Sequence, residues 1–239
     1  MSLSRRRSEV QPDEPLARLV TISEPGSLAS EAYRTLRTNL LYSFVDNPPK
    51  VIVVSSPGPG EGKSTTCANL GVVLTQLEKN VLMIDCDLRR PILHKMFGRR
   101  NLLGLVNVLA AEYSPQDVWH EPLPGLKVLT AGPVPPNPAE LLSSRRLAEL
   151  IRQAKEGFDY ILIDASPIEL VSDPAILSTV SDGVLLVINA QNTRKAAVRR
   201  SIRRLEAVGT TVLGMVLNDV KVPTKSQFSY PGYYSGEEL

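Results

Sequence analysis

The chain has 239 residues, 43% apolar and 22% charged, with a formal net charge of +2. That length allows one large α/β domain or two small ones around a substantial core, and so small a charge excludes the strong basic excess of a dedicated nucleic-acid binder. The two cysteines, Cys67 and Cys86, have neither metal-ligand nor redox spacing and read as free thiols of a reducing compartment.

The opening MSLSRRRSEVQPDEP is basic but no apolar segment follows it, so residues 1–25 read as a flexible arm rather than a secretory signal. No apolar run approaches the roughly 20 residues of a membrane-spanning helix, and a cytoplasmic location is expected. A helix is predicted near 29–44. Six short runs follow: VIVVS (51–55), VLMID (81–85), LKVLT (126–130), YILID (160–164), VLLVI (184–188) and VLGMVLN (212–218). They are continuously apolar rather than alternating, as strands covered on both faces are. Between the first two, residues 64–77 place Cys67, Leu70, Leu74 and Leu77 on one helical face. The rhythm predicts an α/β domain over 26–220, a P-loop NTPase-type parallel sheet flanked by helices on both faces.

The Pro-rich stretch GPVPPNPAELL (132–142) predicts a rigid loop feeding one helix from about Pro138 to Lys155. Farther on, Val198, Ile202 and Leu205 share a helical face, with Arg199, Arg200, Arg203 and Arg204 on the other side. A solvated amphipathic helix gives that pattern, and so does a DNA-gripping face. Residues 221–239 read as a flexible tail, since Pro and Gly deny it a helix, and it carries Tyr230, Tyr233 and Tyr234.

After the first strand comes SSPGPGEGKSTTCANLG. A glycine-rich turn between strand and helix that closes on Gly62-Lys63-Ser64 is a phosphate cradle of backbone N–H groups and a helix N-terminus. Gly58, Pro59, Gly60, Glu61, Gly62, Lys63, Ser64 and Thr65 are the expected nucleotide-binding residues. Lys63 neutralises the β- and γ-phosphates and the Ser64 hydroxyl ligates Mg²⁺. The strict pattern places Gly where this chain has Pro57, a change of loop shape. Hard oxygen ligands must stand nearby for the metal. YILID ends on Asp164, and VLMID ends on Asp85 with Asp87 following at i+2, so both carboxylates can point at one phosphate.

The run Leu82-Met83-Ile84-Asp85-Cys86-Asp87-Leu88-Arg89 is an hhhhDxDxR element, and with it the chain resembles the bacterial tyrosine kinases. Glu31, Arg34 and Arg37 match that family's E-x-x-R-x-x-R subunit-joining motif. Residues 132–142 look like its Pro-rich segment, and the tyrosine cluster like its autophosphorylation site. The resemblance runs from about Glu31 to Tyr234 and implies an ATP- and Mg²⁺-dependent tyrosine autokinase acting in trans within a homo-oligomeric ring. It also implies a transmembrane polysaccharide-export activator, a cognate tyrosine phosphatase, no nucleic-acid partner, and a place at the inner face of the plasma membrane through the activator.

A tyrosine hydroxyl has a pKa of about 10, so its transfer gains from a carboxylate that takes the proton. The resemblance assigns this to Asp85, with Asp87, Asp164 and Ser64 holding Mg²⁺ and Asn218 near the adenine. Lys63, Asp85 and Asp87 form the expected catalytic set. The alternative is a partitioning-type ATPase switch that binds DNA or a protein partner. Such proteins carry a second lysine early in the loop, where this chain has Gly58.

Overall fold

The structure, a computed structural model, describes residues 16, 19–44 and 48–221. It begins with helices α1 (Val20–Ser23) and α2 (Leu28–Tyr42), strand β1 (Val51–Ser55), helix α3 (Lys63–Thr75) and strand β2 (Val81–Asp85). Short helices α4 (Leu93–Met96), α5 (Leu105–Leu109) and α6 (Pro115–Val118) lead to strands β3 (His120–Leu123) and β4 (Leu126–Leu129). Helices α7 (Pro138–Leu142) and α8 (Arg145–Gly157) precede β5 (Tyr160–Asp164), α9 (Asp173–Ser178), β6 (Gly183–Asn189), α10 (Lys195–Glu206) and β7 (Val212–Asn218).

The strands form one seven-stranded sheet in the order β3-β4-β2-β5-β1-β6-β7. Every pairing is parallel except that of β3, which joins β4 antiparallel at the edge. Strand β3 has no apolar run to announce it. Its segment, His-Glu-Pro-Leu, is charged and contains Pro122, and an edge strand tolerates both because proline there forfeits no ladder bond.

The apolar runs divide by parity between two layers. Val51, Val53, Leu82, Ile84, Ile161 and Ile163 pack under α5 and α7–α10, while Ile52, Val54, Val81, Met83, Tyr160 and Leu162 pack under α1–α4. Helices cover both faces, so each inner strand is apolar at successive positions.

Three boundaries differ from expectation. The helix predicted from Pro138 to Lys155 is two helices: Ser144 turns extended and its Oγ accepts from Leu147 N, capping a fresh start for α8. Helix α3 ends at Thr75, which leaves Leu77 44% exposed rather than on the buried face. Within the segment read as an arm, Leu19 is fully buried, and the Thr21 backbone N–H and Oγ1 donate to Asn69 Oδ1 at 3.1 and 2.8 Å. No helix among the described residues is long and apolar enough to cross a membrane.

Candidate functional site

The loop from β1 to α3 bends through Gly60 (φ 73°) and Gly62 (φ 93°), conformations that cost little only for glycine. A β-carbon at Gly62 would lie 2.2 Å from Asn218 Nδ2. Glu61, one of the residues expected at the nucleotide, braces the loop with its carboxylate. Its Oε1 accepts from Gly58 N at 2.8 Å and its Oε2 from Asn189 N at 3.3 Å, while its carbonyl accepts from Asn218 Nδ2 at 3.1 Å. Asn218, expected near the adenine, therefore packs on the loop backbone. Helix α3 starts at Lys63, and its first-turn amides make an anion seat.

Strand parity then places the acids. Asp85 and Asp164 are register partners at the ends of β2 and β5, continuing the Met83 and Leu162 rows that face α3, and both are fully buried. Lys63 reaches into them from the first position of α3. Its Nζ is 2.8 Å from Asp87 Oδ2 and 3.4 Å from Asp164 Oδ1, and donates to Ser64 Oγ at 3.1 Å. Burial alone would depress the Lys63 ammonium, but the Asp164 and Asp87 carboxylates outweigh it and hold the group above its ordinary value. Burial pushes the Asp164 carboxyl up against the pull of Lys63. The Asp85 carboxyl is pushed up to about 8, first by burial and then by Asp164.

Asp85 Oδ2 accepts from Ile92 N at 3.1 Å and Leu93 N at 3.0 Å, where α4 begins. Asp85 Oδ1 and Asp164 Oδ2 are buried with no partner. Two orphaned carboxylate oxygens at neighbouring strand ends, beside a serine hydroxyl and an anion seat, suit a hard divalent cation. Among the described residues no three His, Cys, Asp or Glu side chains form a ready-made metal cage. Mg²⁺ needs none, since one or two carboxylates with phosphate oxygens and water suffice.

A cleft of about 660 Å³ opens over Lys63, Ser64 and Asp87. This is in the range of small-molecule sites, roughly 300–1,000 Å³. The opposite wall comes from Ile92, Met96 and the segment after β5, from Ser166 to Val171. Asp85 and Asp164 do not line the cleft. Helix α4 starts on the Asp85 carboxyl and covers it, whereas Asp87, itself buried, lines the cleft.

Several contacts that set this geometry are not legible in the sequence. Ser166 Oγ donates to Asp87 Oδ1 at 2.8 Å. Arg89, within the DxDxR run, grips the buried Asp173 at the start of α9. The nearby backbone N–H groups of Ile168 and Glu169 donate to the carbonyls of Ser56 and Pro57 at 2.8 and 3.1 Å, fastening the cleft wall to the phosphate loop. Outside the wall, Glu169 accepts from Arg200 Nε at 2.6 Å and lies 3.7 Å from Arg204 Nε. Helix α9 is six residues long, too short for a periodic signal, and only the Asp173-Pro174 pair hinted at its start.

The remaining predicted residues lie apart. In α2, Arg34 pairs with Glu31 and donates to the Pro25 carbonyl at 2.6 Å, while Arg37 Nη1 donates to the Val73 carbonyl of α3 at 2.6 Å. Tyr230, Tyr233 and Tyr234 lie outside the described residues.

Residues 52–233 match the family model described as the CobQ/CobB/MinD/ParA nucleotide binding domain. The chain is 43% identical to tyrosine-protein kinase YwqD of Bacillus subtilis over 90% of this chain and 91% of that protein. It is similar to the kinase domain of Escherichia coli tyrosine kinase ETK, with a TM-score of 0.83 and 31% identity over 97% of this chain and 89% of that one. It also resembles the septum site-determining protein MinD of Pyrococcus horikoshii in complex with Mg-ADP, with a TM-score of 0.60 and 27% identity over 70% of this chain and 69% of that one.

Proposed function

The chain belongs to the bacterial tyrosine kinases, built on the CobQ/CobB/MinD/ParA nucleotide-binding domain, and on that premise we propose that it uses ATP and Mg²⁺ to phosphorylate its own Tyr230, Tyr233 and Tyr234. The observation that carries the reading is Lys63 held between Asp87 and Asp164 at the mouth of a phosphate loop, in a chain that ends in a tyrosine cluster.

In the transfer, the phenolic oxygen attacks the γ-phosphorus and the bond to the β–γ bridging oxygen breaks. ADP leaves, and the phenolic proton passes to a carboxylate. Lys63 and the first amides of α3 stabilise charge on the γ-phosphoryl. Ser64, Asp87 and Asp164 would hold Mg²⁺, which supplies charge neutralisation across the β- and γ-phosphates. Asp85 is the proposed acceptor of that proton; burial first and Asp164 second push its carboxyl up, so it must lose its own proton before it can act, a loss that a cation beside it favours. It takes the proton once its unpartnered Oδ1 becomes reachable from the cleft.

The reading extends to trans phosphorylation within a ring joined through Glu31, Arg34 and Arg37, and to control of exopolysaccharide or capsule production. It places the kinase at the inner face of the membrane through a transmembrane activator, with a tyrosine phosphatase to reset it. The DNA-binding alternative draws on the α10 arginines, and of these Arg200 and Arg204 are engaged by Glu169.

The test is intact mass after incubation with ATP and Mg²⁺, for the parent and for Lys63→Met, followed by mapping of the C-terminal peptide. Stepwise phosphate gains on the tail tyrosines, lost in the variant, are expected. Steady ATP hydrolysis without any gain, even with a candidate activator supplied, would favour the ATPase switch.

A further inference from the structure

We propose that the apolar wall of the cleft, formed by Ile92, Met96, Leu170 and Val171, seats the phenol ring of the tyrosine that receives phosphate, and that Arg90 on its rim selects acidic residues beside that tyrosine. The inference rests on the kinase reading and deepens it by naming the acceptor's seat.

Position is the first argument. The phosphate loop follows β1, which has β5 and then β2 on one side and β6 and β7 on the other. The γ-phosphoryl belongs on the β5/β2 side, because Asp164, Asp87 and Lys63, the groups that would hold the metal and stabilise charge in the transfer, sit there. An acceptor attacks in line, opposite the leaving oxygen. It therefore enters from the β2/β5 side, where the four apolar side chains stand, two from the segment after β2 and two from the segment after β5. Asn218 and the rest of β7 lie on the other side of the loop.

Chemistry is the second. A triphosphate and its metal gain nothing from aliphatic surface, yet Leu170 sits in this cleft 63% exposed. An aromatic ring laid against such a wall buries apolar area and keeps its hydroxyl at the polar end, toward Asp87 and Lys63.

Preorganisation is the third. The Leu170 segment is tied to the phosphate loop through Ile168 and Glu169, and Ser166 holds Asp87, so seat and phosphate site form one unit. A tyrosine seated there meets a fixed geometry, the condition for efficient transfer.

Charge identifies the occupant. Arg89 is occupied by Asp173, whereas the neighbouring exposed Arg90 lines the cleft with no acidic partner among the described residues. The chain's own Tyr233 and Tyr234 are followed closely by Glu237 and Glu238. The occupant is thus a tyrosyl segment with acidic residues on its C-terminal side, for which the chain's own C-terminal segment qualifies.

The experiment uses the full chain carrying Tyr230→Phe, Tyr233→Phe and Tyr234→Phe, with a synthetic peptide of residues 226–239 as acceptor. KM is measured separately for peptide and for ATP. Leu170→Asn should raise the peptide KM about 5- to 10-fold, the loss of one exposed aliphatic contact with a ring, and leave the ATP KM within about twofold. Arg90→Glu should also raise the peptide KM, and a peptide with Glu237→Lys and Glu238→Lys should reverse that penalty. An equal rise in the ATP KM would assign the wall to the nucleotide base and overturn the proposal. An unchanged peptide KM, or a parent chain that modifies its tail but not the peptide, would overturn it while the kinase reading stands. If the chain with its natural tail modifies no tyrosine in either, the kinase reading fails and the inference falls with it.

Discussion

Arg89 grips the buried carboxylate of Asp173 through two parallel hydrogen bonds, Nε to Oδ2 at 2.8 Å and Nη2 to Oδ1 at 3.1 Å. The pair locks the segment after β2 to the first turn of α9, and so fixes two sides of the cleft. Arg89→Ala strands a carboxylate with no exposed surface. The cost is expected at about 1–3 kcal/mol, short of that for a wholly buried pair because the arginine is partly exposed. The urea midpoint measures it. Arg89→Lys should recover only part, since an ammonium cannot reproduce the planar two-bond fork. A midpoint unchanged in Arg89→Ala would mean that the pair adds no stability.

Gly62→Ala meets two obstacles, the left-handed backbone at φ 93° and the Asn218 amide 2.2 Å from the new β-carbon. Nucleotide affinity should fall by at least about tenfold, the equivalent of roughly 1.4 kcal/mol. Adding Asn218→Ala removes the collision but not the backbone strain of roughly 1–2 kcal/mol. The double variant should therefore bind better than Gly62→Ala and worse than the parent. Titration with a fluorescent ATP analogue reads all three, and a double variant no better than the single would dismiss the collision.

Arg37 and Arg34 should behave differently despite sharing one motif. Arg37 donates to a helix carbonyl of α3, so Arg37→Ala should cost about 1–2 kcal/mol of thermal stability, with a shift independent of protein concentration. Arg34 pairs with Glu31 within α2, and Arg34→Ala should cost less than about 1 kcal/mol. A midpoint shift for Arg37→Ala that disappears on dilution would place its role between subunits alone.

The Glu169 clamp should matter more to activity than to stability. Exposed ion pairs are worth roughly 0–1 kcal/mol, yet this one holds the cleft wall that is hydrogen-bonded to Ser56 and Pro57. Combining Arg200→Ala and Arg204→Ala should lower turnover several-fold with little change in melting temperature. Reversing the charges, Glu169→Lys with Arg200→Glu, should restore part of it. A turnover equal to the parent's in the double alanine variant would show that the wall holds without the clamp.

His120 gives a pH dependence of known sign. Burial first, and Arg99 second, lower its imidazole to about 4 from an ordinary value of 6.5. The unfolded chain then binds more protons than the folded one between these values, so stability is full above about 6.5 and drains away as pH falls toward 4. His120→Gln should flatten the slope of the urea midpoint against pH in that window and leave the behaviour above pH 7 unchanged. Parallel slopes for the two proteins would remove His120 as a cause.

The phosphate loop, the strand-end acids and the helix-flanked sheet were all legible because each is a local pattern. Continuous apolar runs mark buried strands, and the Gly-Lys-Ser turn marks the anion seat. Helix α9, strand β3 and the break before α8 were not. Four to six residues carry no periodicity, and an edge strand with Pro122 is tolerated only because of where it lies. The motif places Glu61 in the loop, but only the folded structure shows its carboxylate turned to the loop's own backbone and to β6.

The sequence by itself determined the fold class and the strand–glycine loop–helix turn, because strand parity and loop glycines are set by neighbours along the chain, and its DxDxR element carried the resemblance to the kinase family. Tertiary structure alone decided which acid faces the cleft, that Arg89 answers to Asp173 and Glu169 to Arg200, and that an aliphatic wall stands across from Lys63. Those relations join residues tens of positions apart. Their energies depend on burial and on distances of a few ångströms, quantities that exist only once the sheet has brought the segments together.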